Sequence, residues 1–306
     1  MKKRWEIIAL ALISVALILY VVFRNTDRMQ YETPNLENLD REAITRIEYI
    51  SDQEVALKKT EGRWEMLPTG YPADEAKVNK MLDAAADMEL VDLISDKKVY
   101  AKYELDEDER MEVNVYNTDN IVRTFYVGKT SSTRRYSYVR IPDDPNVYSV
   151  SGNLRNTFIT EEEQLQDKQI FSFAAEKIYR INYKNDQTVT LTKELSGKSV
   201  KTESDDGQET GTFRWVDSEG LSWEQAKIED LLSRLSSLRC TAYKDRPEDA
   251  EKIGELRMSE EGGAEYTLTV YEKDDEGYPA TSNVNDFQFY ISAYNAEKVY
   301  EFFQKE

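Results

Sequence analysis

The sequence predicts an α+β protein, in which an N-terminal transmembrane helix precedes two related domains, each an antiparallel sheet with its main helix on one face. Three observations predict this class. An uncharged apolar run lies near the N-terminus, strand-like alternation is followed by one helical stripe, and this series of patterns then occurs a second time. We therefore expect an internal duplication behind a membrane anchor.

The apolar run covers residues 7–23 and contains no charge. As a helix it would span about 26 Å of hydrocarbon. Residues 2–4 are basic, which predicts a single-pass protein of the cell membrane with a cytoplasmic N-terminus and extracytoplasmic C-terminal domains. A cleaved signal peptide would require small residues at a cleavage site, and none follow the run. We interpret residues 1–24 as a retained signal-anchor and residues 25–43 as a linker.

Charge and composition exclude several function classes. The formal net charge is −19, and because the first 24 residues contribute +3, the rest of the chain carries −22. Such an acidic surface repels nucleic acid, so no nucleic-acid partner is expected. With no histidine and one cysteine, the chain has neither a histidine-based catalytic triad nor an internal disulfide. Cys240 follows a helical pattern and is expected to be buried.

The first domain, predicted over residues 44–165, opens with strands at residues 44–49, 55–59 and 62–67. Asp74 is expected to cap the helix that follows. Its apolar residues have relative spacings of 0, 3, 4, 7 and 10, which gives one buried stripe. They are Val78, Met81, Leu82, Ala85 and Met88.

The second domain, predicted over residues 166–306, repeats this series. Residues 178–183 repeat the I-x-R-I-x-Y pattern of residues 44–49 at an offset of 134, and Trp215 takes the place of Trp64. A second helix, expected to open at Ser222 or Trp223, has the same apolar spacing at an offset of 150. The two offsets differ because of residues 196–212, a Gly/Ser/Asp/Thr-rich stretch interpreted as a flexible hairpin tip.

The alignment of the two copies continues past the helices. Two further strand segments align, each copy closes with a short helix, and the joint falls near residues 161–167. The aligned strands are residues 113–119 with 268–274 and residues 136–139 with 287–290, and the closing helices are residues 153–158 and 295–304.

Two short motifs invite a catalytic interpretation, and both are incomplete. Gly128-Lys129-Thr130 is similar to the end of a phosphate-binding loop, but Arg123 stands where the loop needs glycine, and the motif ends a strand. Residues 95–98 fit the S-x-x-K pattern of Ser-Lys hydrolases without the partner motifs of that group. We interpret them as a polar stretch, although a hydrolase using carboxylates or this Ser-Lys pair stays open as a third function class.

Acidic clusters at residues 106–109 and 274–277 lack the alternating spacing of a calcium loop and are interpreted as solvated hairpin loops. The 20 tyrosines could stack sugars, but several alternate with polar residues, a pattern typical of cross-strand packing. The clearest examples are Tyr136, Tyr138, Tyr266 and Tyr271.

Motifs spread over about a hundred residues resemble the DUF4340 domain, and the resemblance covers residues 44–180 well. They are Trp64, Tyr71-Pro72-Ala73-Asp74, residues 91–96, 100–106, 127–129, 138–140 and 147–150, and Asn153-Leu154-Arg155. Two departures are Glu104, where the family usually has glycine, and the missing arginine before Asp167-Lys168. The resemblance implies one membrane span, an extracytoplasmic part, and an association with ABC transporters of the gliding-motility type. It implies no catalytic residue.

From these observations we expect a non-enzymatic, membrane-anchored extracytoplasmic accessory or scaffold protein whose partner is a membrane protein complex, an ABC transporter permease first among candidates. We expect no cofactor and no catalytic, cofactor-binding or metal-binding residues. The alternative is an extracytoplasmic ligand-binding or sensing module for cell-envelope glycan or peptide, in which tyrosines and the cleft between the copies hold the ligand.

Overall fold

The computed structural model describes residues 13–15, 20, 33–158, 161–196 and 213–304. They form two antiparallel sheets with a few helices, so the predicted α+β class is confirmed. Within this part of the chain, no helix is long and apolar enough to cross a membrane. Apart from residues 13–15 and 20, which are helical, the predicted anchor over residues 7–23 lies outside the described residues.

The first sheet has eight strands in the order β3-β2-β1-β5-β6-β7-β8-β4. The strands are β1 (Arg46–Ile50), β2 (Glu54–Thr60), β3 (Arg63–Leu67), β4 (Leu90–Ser95), β5 (Met111–Asn117), β6 (Asn120–Thr130), β7 (Tyr136–Arg140) and β8 (Val147–Ser151). Helix α1 (Glu75–Ala86) follows β3, and the short helices α2 (Leu154–Thr157) and α3 (Glu162–Leu165) follow β8. Two 3₁₀ helices lie at Arg41–Ala43 and Tyr100–Tyr103. We call the part up to residue 158 the first half.

The second sheet has nine strands in the order β12-β11-β10-β9-β14-β15-β16-β17-β13. The strands are β9 (Ile178–Lys184), β10 (Thr188–Leu195), β11 (Phe213–Val216), β12 (Ser222–Trp223), β13 (Ala242–Tyr243), β14 (Lys252–Glu260), β15 (Glu265–Tyr271), β16 (Tyr278–Ser282) and β17 (Phe289–Ile291). A 3₁₀ helix (Ala175–Lys177) precedes β9, helix α4 (Gln225–Ser236) follows β12, and α5 (Ala293–Gln304) follows β17. We call residues 168–304 the second half.

The two sheets have the same strand order, except that the second adds β12 at one edge. Position in the sheet corrects the predicted strand alignment. Within the aligned ranges, residues 113–117 lie in β5, whose counterpart is β14, whereas residues 268–271 lie in β15. Likewise β7 corresponds to β16 and not to residues 287–290. The alignment slipped because neighbouring strands on one sheet share the same period-two pattern, which does not distinguish one from the next.

The main helices have different N-termini. Asp74 caps α1 as predicted, and its carboxylate accepts hydrogen bonds from the Ala76 and Lys77 N–H groups at 3.0 and 3.2 Å. The predicted start of the second helix was wrong, because Ser222 and Trp223 form β12 and pair with β11. Helix α4 begins two residues later, and its capping residue Glu224 makes no side-chain cap bond.

Each half has its own hydrophobic core beneath its main helix. The predicted stripes are buried: Val78 and Ile228 are fully inaccessible, as are Met81 and Ala85. Cys240 is buried as expected, and burial raises the pKa of its thiol to about 11. The interpreted hairpin tip connects β10 to β11, but its residues 197–212 lie outside the described part of the chain.

Candidate protein-binding groove

A groove of about 730 Å³ lies on the second half, between the edge strand β12 and helices α4 and α5. We call it the β12 groove. Three apolar and three basic side chains define it: Leu221, Trp223, Phe302, Lys227, Arg234 and Lys298.

The floor of the groove is apolar and partly open to solvent. Leu221 is 61% exposed and lines the groove together with other apolar side chains. The rings of Trp223 and Phe302 are half-buried, with their centroids 5.7 Å apart. An apolar side chain placed on this floor would be removed from water on contact, which is the main favourable term in protein association.

The charges on the walls are paired with one another. Arg234 bonds Asp230 at 2.7 Å, Lys298 bonds Glu301 at 3.2 Å, and Lys227 pairs with Glu224. The hydrogen bond from Arg234 is the main cause that lowers the pKa of Asp230 below its usual range. Each basic group of the walls therefore has an acidic partner, and Asp217 adds one further carboxylate to the lining.

Asp217 fixes the tryptophan of the floor. Its carboxylate accepts hydrogen bonds from the N–H groups of Glu219 and Leu221, both at 2.9 Å, and from the indole Nε1 of Trp223 at 3.2 Å. Desolvation would raise the pKa of Asp217, but these hydrogen bonds outweigh it and the pKa lies below its usual value. The Asp217 side chain thus ties the indole Nε1 of Trp223 to the turn that precedes β12.

The backbone of β12 has one free edge. On one side β12 pairs with β11, at Trp215 with Trp223 and at Val216 with Ser222. On the other side, no segment within the described ranges pairs with it. A free edge presents unpaired N–H and C=O groups, which are the groups that bind an added strand. The groove thus combines an apolar floor with a strand edge.

A second depression, of about 820 Å³, has a different character. It is lined by Gln53, Glu54 and residues 161–164, which are polar or acidic. Because its described lining contains no apolar side chain, this depression offers little apolar contact to a protein partner.

One residue of each incomplete catalytic motif makes a local contact with the backbone. The Ser95 hydroxyl bonds the Lys97 backbone, accepting from its N–H at 3.1 Å and donating to its carbonyl oxygen at 3.2 Å. In this described region no hydrogen bond joins Ser95 to the Lys98 ammonium group. Gly128 lies near the end of β6, as predicted, and a Cβ there would be 2.1 Å from the Tyr103 carbonyl oxygen. This glycine serves a close backbone approach.

The acidic clusters occupy connections between elements. Asp274 begins the β15–β16 hairpin, as interpreted, and accepts from the Tyr290 hydroxyl at 2.6 Å, a bond that lowers the pKa of Asp274. Residues 106–109 join a 3₁₀ helix to β5, so their interpretation as a hairpin loop was wrong. Within the described ranges, no group of three or more acidic or cysteine side chains could hold a metal ion.

The tyrosines named from the sequence lie in strands β7 and β15, as predicted. Others in the first half stack with arginines. The Arg140 guanidinium lies 4.8 Å from the Tyr100 ring centroid and 4.6 Å from that of Tyr126, and Arg110 lies 4.1 Å from Tyr126. These cation–π contacts satisfy the aromatic faces within the protein.

The sequence predicted none of the groove residues as a site. One signal was available: Leu221, an apolar residue, stands in the polar Asp217–Ser222 stretch at the position where the first half has Tyr71. Its exposure could not be predicted, because it depends on which chain segment covers β12.

Comparison with known families gives one match. The family model described as a domain of unknown function, DUF4340, matches residues 64–258, which include strands of both sheets. No curated protein and no solved structure matches the chain.

Proposed function

The chain belongs to the DUF4340 family, and on that premise we propose that it is a non-enzymatic accessory or scaffold protein that is anchored in the cell membrane and binds another protein outside the cytoplasm. The partner class we propose is a membrane protein complex, with an ABC-type transporter permease as the first candidate.

The observation that carries this proposal is the β12 groove. It joins an exposed leucine and two half-buried aromatic rings to a free strand edge, and these are the groups that stabilise protein–protein contacts. Its charges are paired, and its acidic side chains are engaged in hydrogen bonds or ion pairs that lower the pKa values of Asp217 and Asp230. General acid catalysis near neutral pH would require a carboxyl group with a raised pKa.

The anchor rests on the apolar run and on the few of its residues that are described. Residues 13–15 and 20 are helical, and the side chains of Ile13, Val15 and Tyr20 are exposed by half or more. Exposed apolar side chains on a helix are expected when lipid surrounds it. The equal strand orders of the two sheets support the proposal that the halves arose by internal duplication.

The alternative function, a module that binds envelope glycan or peptide, is favoured by one feature of the same groove. Trp223 is oriented by Asp217 and lies beside Phe302, and an ordered aromatic face can stack on a sugar ring. Thermal-shift measurements with cell-wall fragments distinguish the two: a shift with glycan and none with protein partners would favour the alternative.

The direct test is site-specific crosslinking in cells. A photocrosslinking amino acid at Leu221 should attach the anchored chain to a membrane protein identified by mass spectrometry. The same probe at Ile121, which is 55% exposed on the hairpin of the first sheet, is the matched control and should not. Equal labelling from both positions, or recovery of no membrane protein from Leu221, would contradict the proposal.

A further inference from the structure

The first half has a place that corresponds to the β12 groove, and there it is filled. Tyr71 and Leu221 occupy equivalent positions, because the Met66 N–H donates to the Tyr71 carbonyl oxygen at 2.8 Å and the Asp217 N–H donates to that of Leu221 at 3.0 Å. Residues 71–74 of the first half therefore correspond to residues 221–224 of the second.

Residues 161–167, which join the two halves, cover the edge at residues 72–74. We call them the joining segment. The Asp74 N–H donates to the Leu165 carbonyl oxygen at 2.7 Å, and the Asp167 N–H donates to that of Pro72 at 2.8 Å. Ala73 and Gln166 form an antiparallel bridge between these two bonds. The joining segment thus adds a very short strand to the first sheet.

One apolar side chain and one lysine complete this contact. Leu165 is fully buried and belongs to the core of the first half. The Lys77 ammonium group donates to the Gln164 carbonyl oxygen, so a cation at the first turn of α1 also holds the backbone of the segment. The contact is made through main-chain groups and a single leucine.

The corresponding groups are present in the second half without such a segment. Glu224 takes the position of Asp74, Ser222 that of Pro72, and Lys227 that of Lys77. Over the described ranges, no backbone hydrogen bond occupies the Glu224 N–H or the Ser222 carbonyl oxygen in the way seen in the first half. Lys227 pairs with the Glu224 carboxylate, as Lys77 also does with that of Asp74 at 3.7 Å.

The closing helices show where a covering segment would enter. Phe158 packs on Tyr49 with centroids 5.5 Å apart, and Phe303 packs on Tyr183 at 4.3 Å, so the two phenylalanines are equivalent. In the first half the chain continues from Phe158 to cover the edge at Asp74. In the second half the equivalent space beside Phe302 is the β12 groove.

We infer that the β12 groove binds an extended segment of a partner protein, which pairs antiparallel with β12 and places one large apolar side chain on Trp223 and Phe302. The inference rests on the proposed protein-binding function and gives the form of the bound segment. Because the wall charges are already paired, the residues beside the apolar one are expected to be uncharged.

A partner, rather than a second copy of this chain, fits the groove for two reasons. The chain's own matching segment is already engaged in its first half through the Leu165 contacts. Two copies would also bring together molecules with a net charge of −19 each, which repel.

The test uses full-length protein in detergent and a fluorescent peptide with the sequence of residues 161–169, since this sequence binds the equivalent edge. Glu224→Pro removes the one N–H group of the inferred contact, and its φ of −67° already suits proline. Glu224→Ala removes the same carboxylate and keeps the N–H group. Fluorescence anisotropy should show binding about three- to tenfold weaker by Glu224→Pro than by Glu224→Ala.

Three results would overturn the inferred strand contact. The first is that Glu224→Pro and Glu224→Ala bind the peptide equally while both keep the wild-type melting temperature. The second is that a peptide carrying Leu165→Asp binds as tightly as the unchanged peptide. The third is that the wild-type protein shows no saturable binding of the peptide. An oligomer that Glu224→Pro converts to a monomer would make a second copy the occupant and overturn the assignment of a partner. If the peptide binds but Leu221 crosslinks to no membrane protein, the inferred binding of an extended segment stands and only the proposed membrane partner is contradicted.

Discussion

The two halves of the molecule share one strand order and differ at one edge. In the first half the edge beside the main helix is covered by the joining segment, and the residue at its centre is Ala73, which is buried. In the second half the same position is Trp223, half-buried beside an open groove. Two sheets with the same strand order can thus present different surfaces, because a chain segment covers the edge strand of one and not of the other.

The largest expected loss of stability comes from a substitution in the joining segment that covers the edge of the first sheet. Leu165→Ala should lower the free energy of unfolding by about 2–5 kcal/mol, because it removes a fully buried leucine from the core. The matched change Leu221→Ala, at a residue that is 61% exposed, should cost less than about 0.5 kcal/mol. Urea unfolding followed by tryptophan fluorescence measures both. Similar losses would mean that the two edges are not different in the way described.

The next effect compares close approaches in the two sheets. Gly128→Ala should destabilise the protein by about 1–3 kcal/mol, since its Cβ would meet the Tyr103 backbone oxygen at 2.1 Å. Gly254→Ala should cost less, because the nearest atom, 2.7 Å away, is the side-chain hydroxyl oxygen of Tyr183 and not a backbone oxygen. Thermal unfolding should therefore give Gly128→Ala a lower melting temperature than Gly254→Ala. The reverse order would contradict the close backbone contact at Gly128.

A smaller effect tests the helix starts. Asp74→Ala should cost about 1 kcal/mol, because it removes the two hydrogen bonds that cap α1. Glu224→Ala should change stability by a few tenths of a kcal/mol at most, since that side chain makes no cap bond with α4. Denaturant unfolding measures the pair, and a loss at Glu224 as large as that at Asp74 would show that the second cap had been misjudged.

The smallest expected effect is a gain in stability at Glu104. Glu104 has φ 54° and ψ 46°, the left-handed conformation that glycine adopts freely. Glu104→Gly should stabilise the protein by about 0.5–1 kcal/mol, because the ion pair that it loses, to Arg155 at 3.9 Å, is partly exposed and weak. Glu104→Ala keeps the strained backbone and should bring no gain. A melting temperature that rises equally in both variants would exclude this cause.

Local patterns predicted much of the fold. The spacing of the apolar residues predicted both main helices, Asp74 was identified as a cap from its residue type and position, and the first three strands of each half follow from alternation. Glu104, identified in the sequence only as a departure from the family pattern, lies at a turn whose left-handed backbone a glycine would adopt without strain.

The sequence did not predict features in which several segments have patterns that suit the same position in the sheet. Residues 113–119 and 268–274 have similar patterns but lie at different sheet positions, and only long-range pairing distinguishes them. The groove was not predicted for the same reason. Whether Leu221 and Trp223 are covered depends on the path of a segment distant in the chain, and that path leaves no period in the sequence.

Tyr71 couples the stability of the two halves. It follows β3 of the first sheet, yet its ring stacks on Tyr243 at 5.0 Å and meets Phe287 edge-on at 5.1 Å, both in the second core. The joining segment likewise bonds both halves, because the Asp167 carbonyl oxygen accepts from the Tyr243 hydroxyl at 2.7 Å. Unfolding either half would strip these contacts from the other, so the protein should melt cooperatively, as one unit, rather than in two steps.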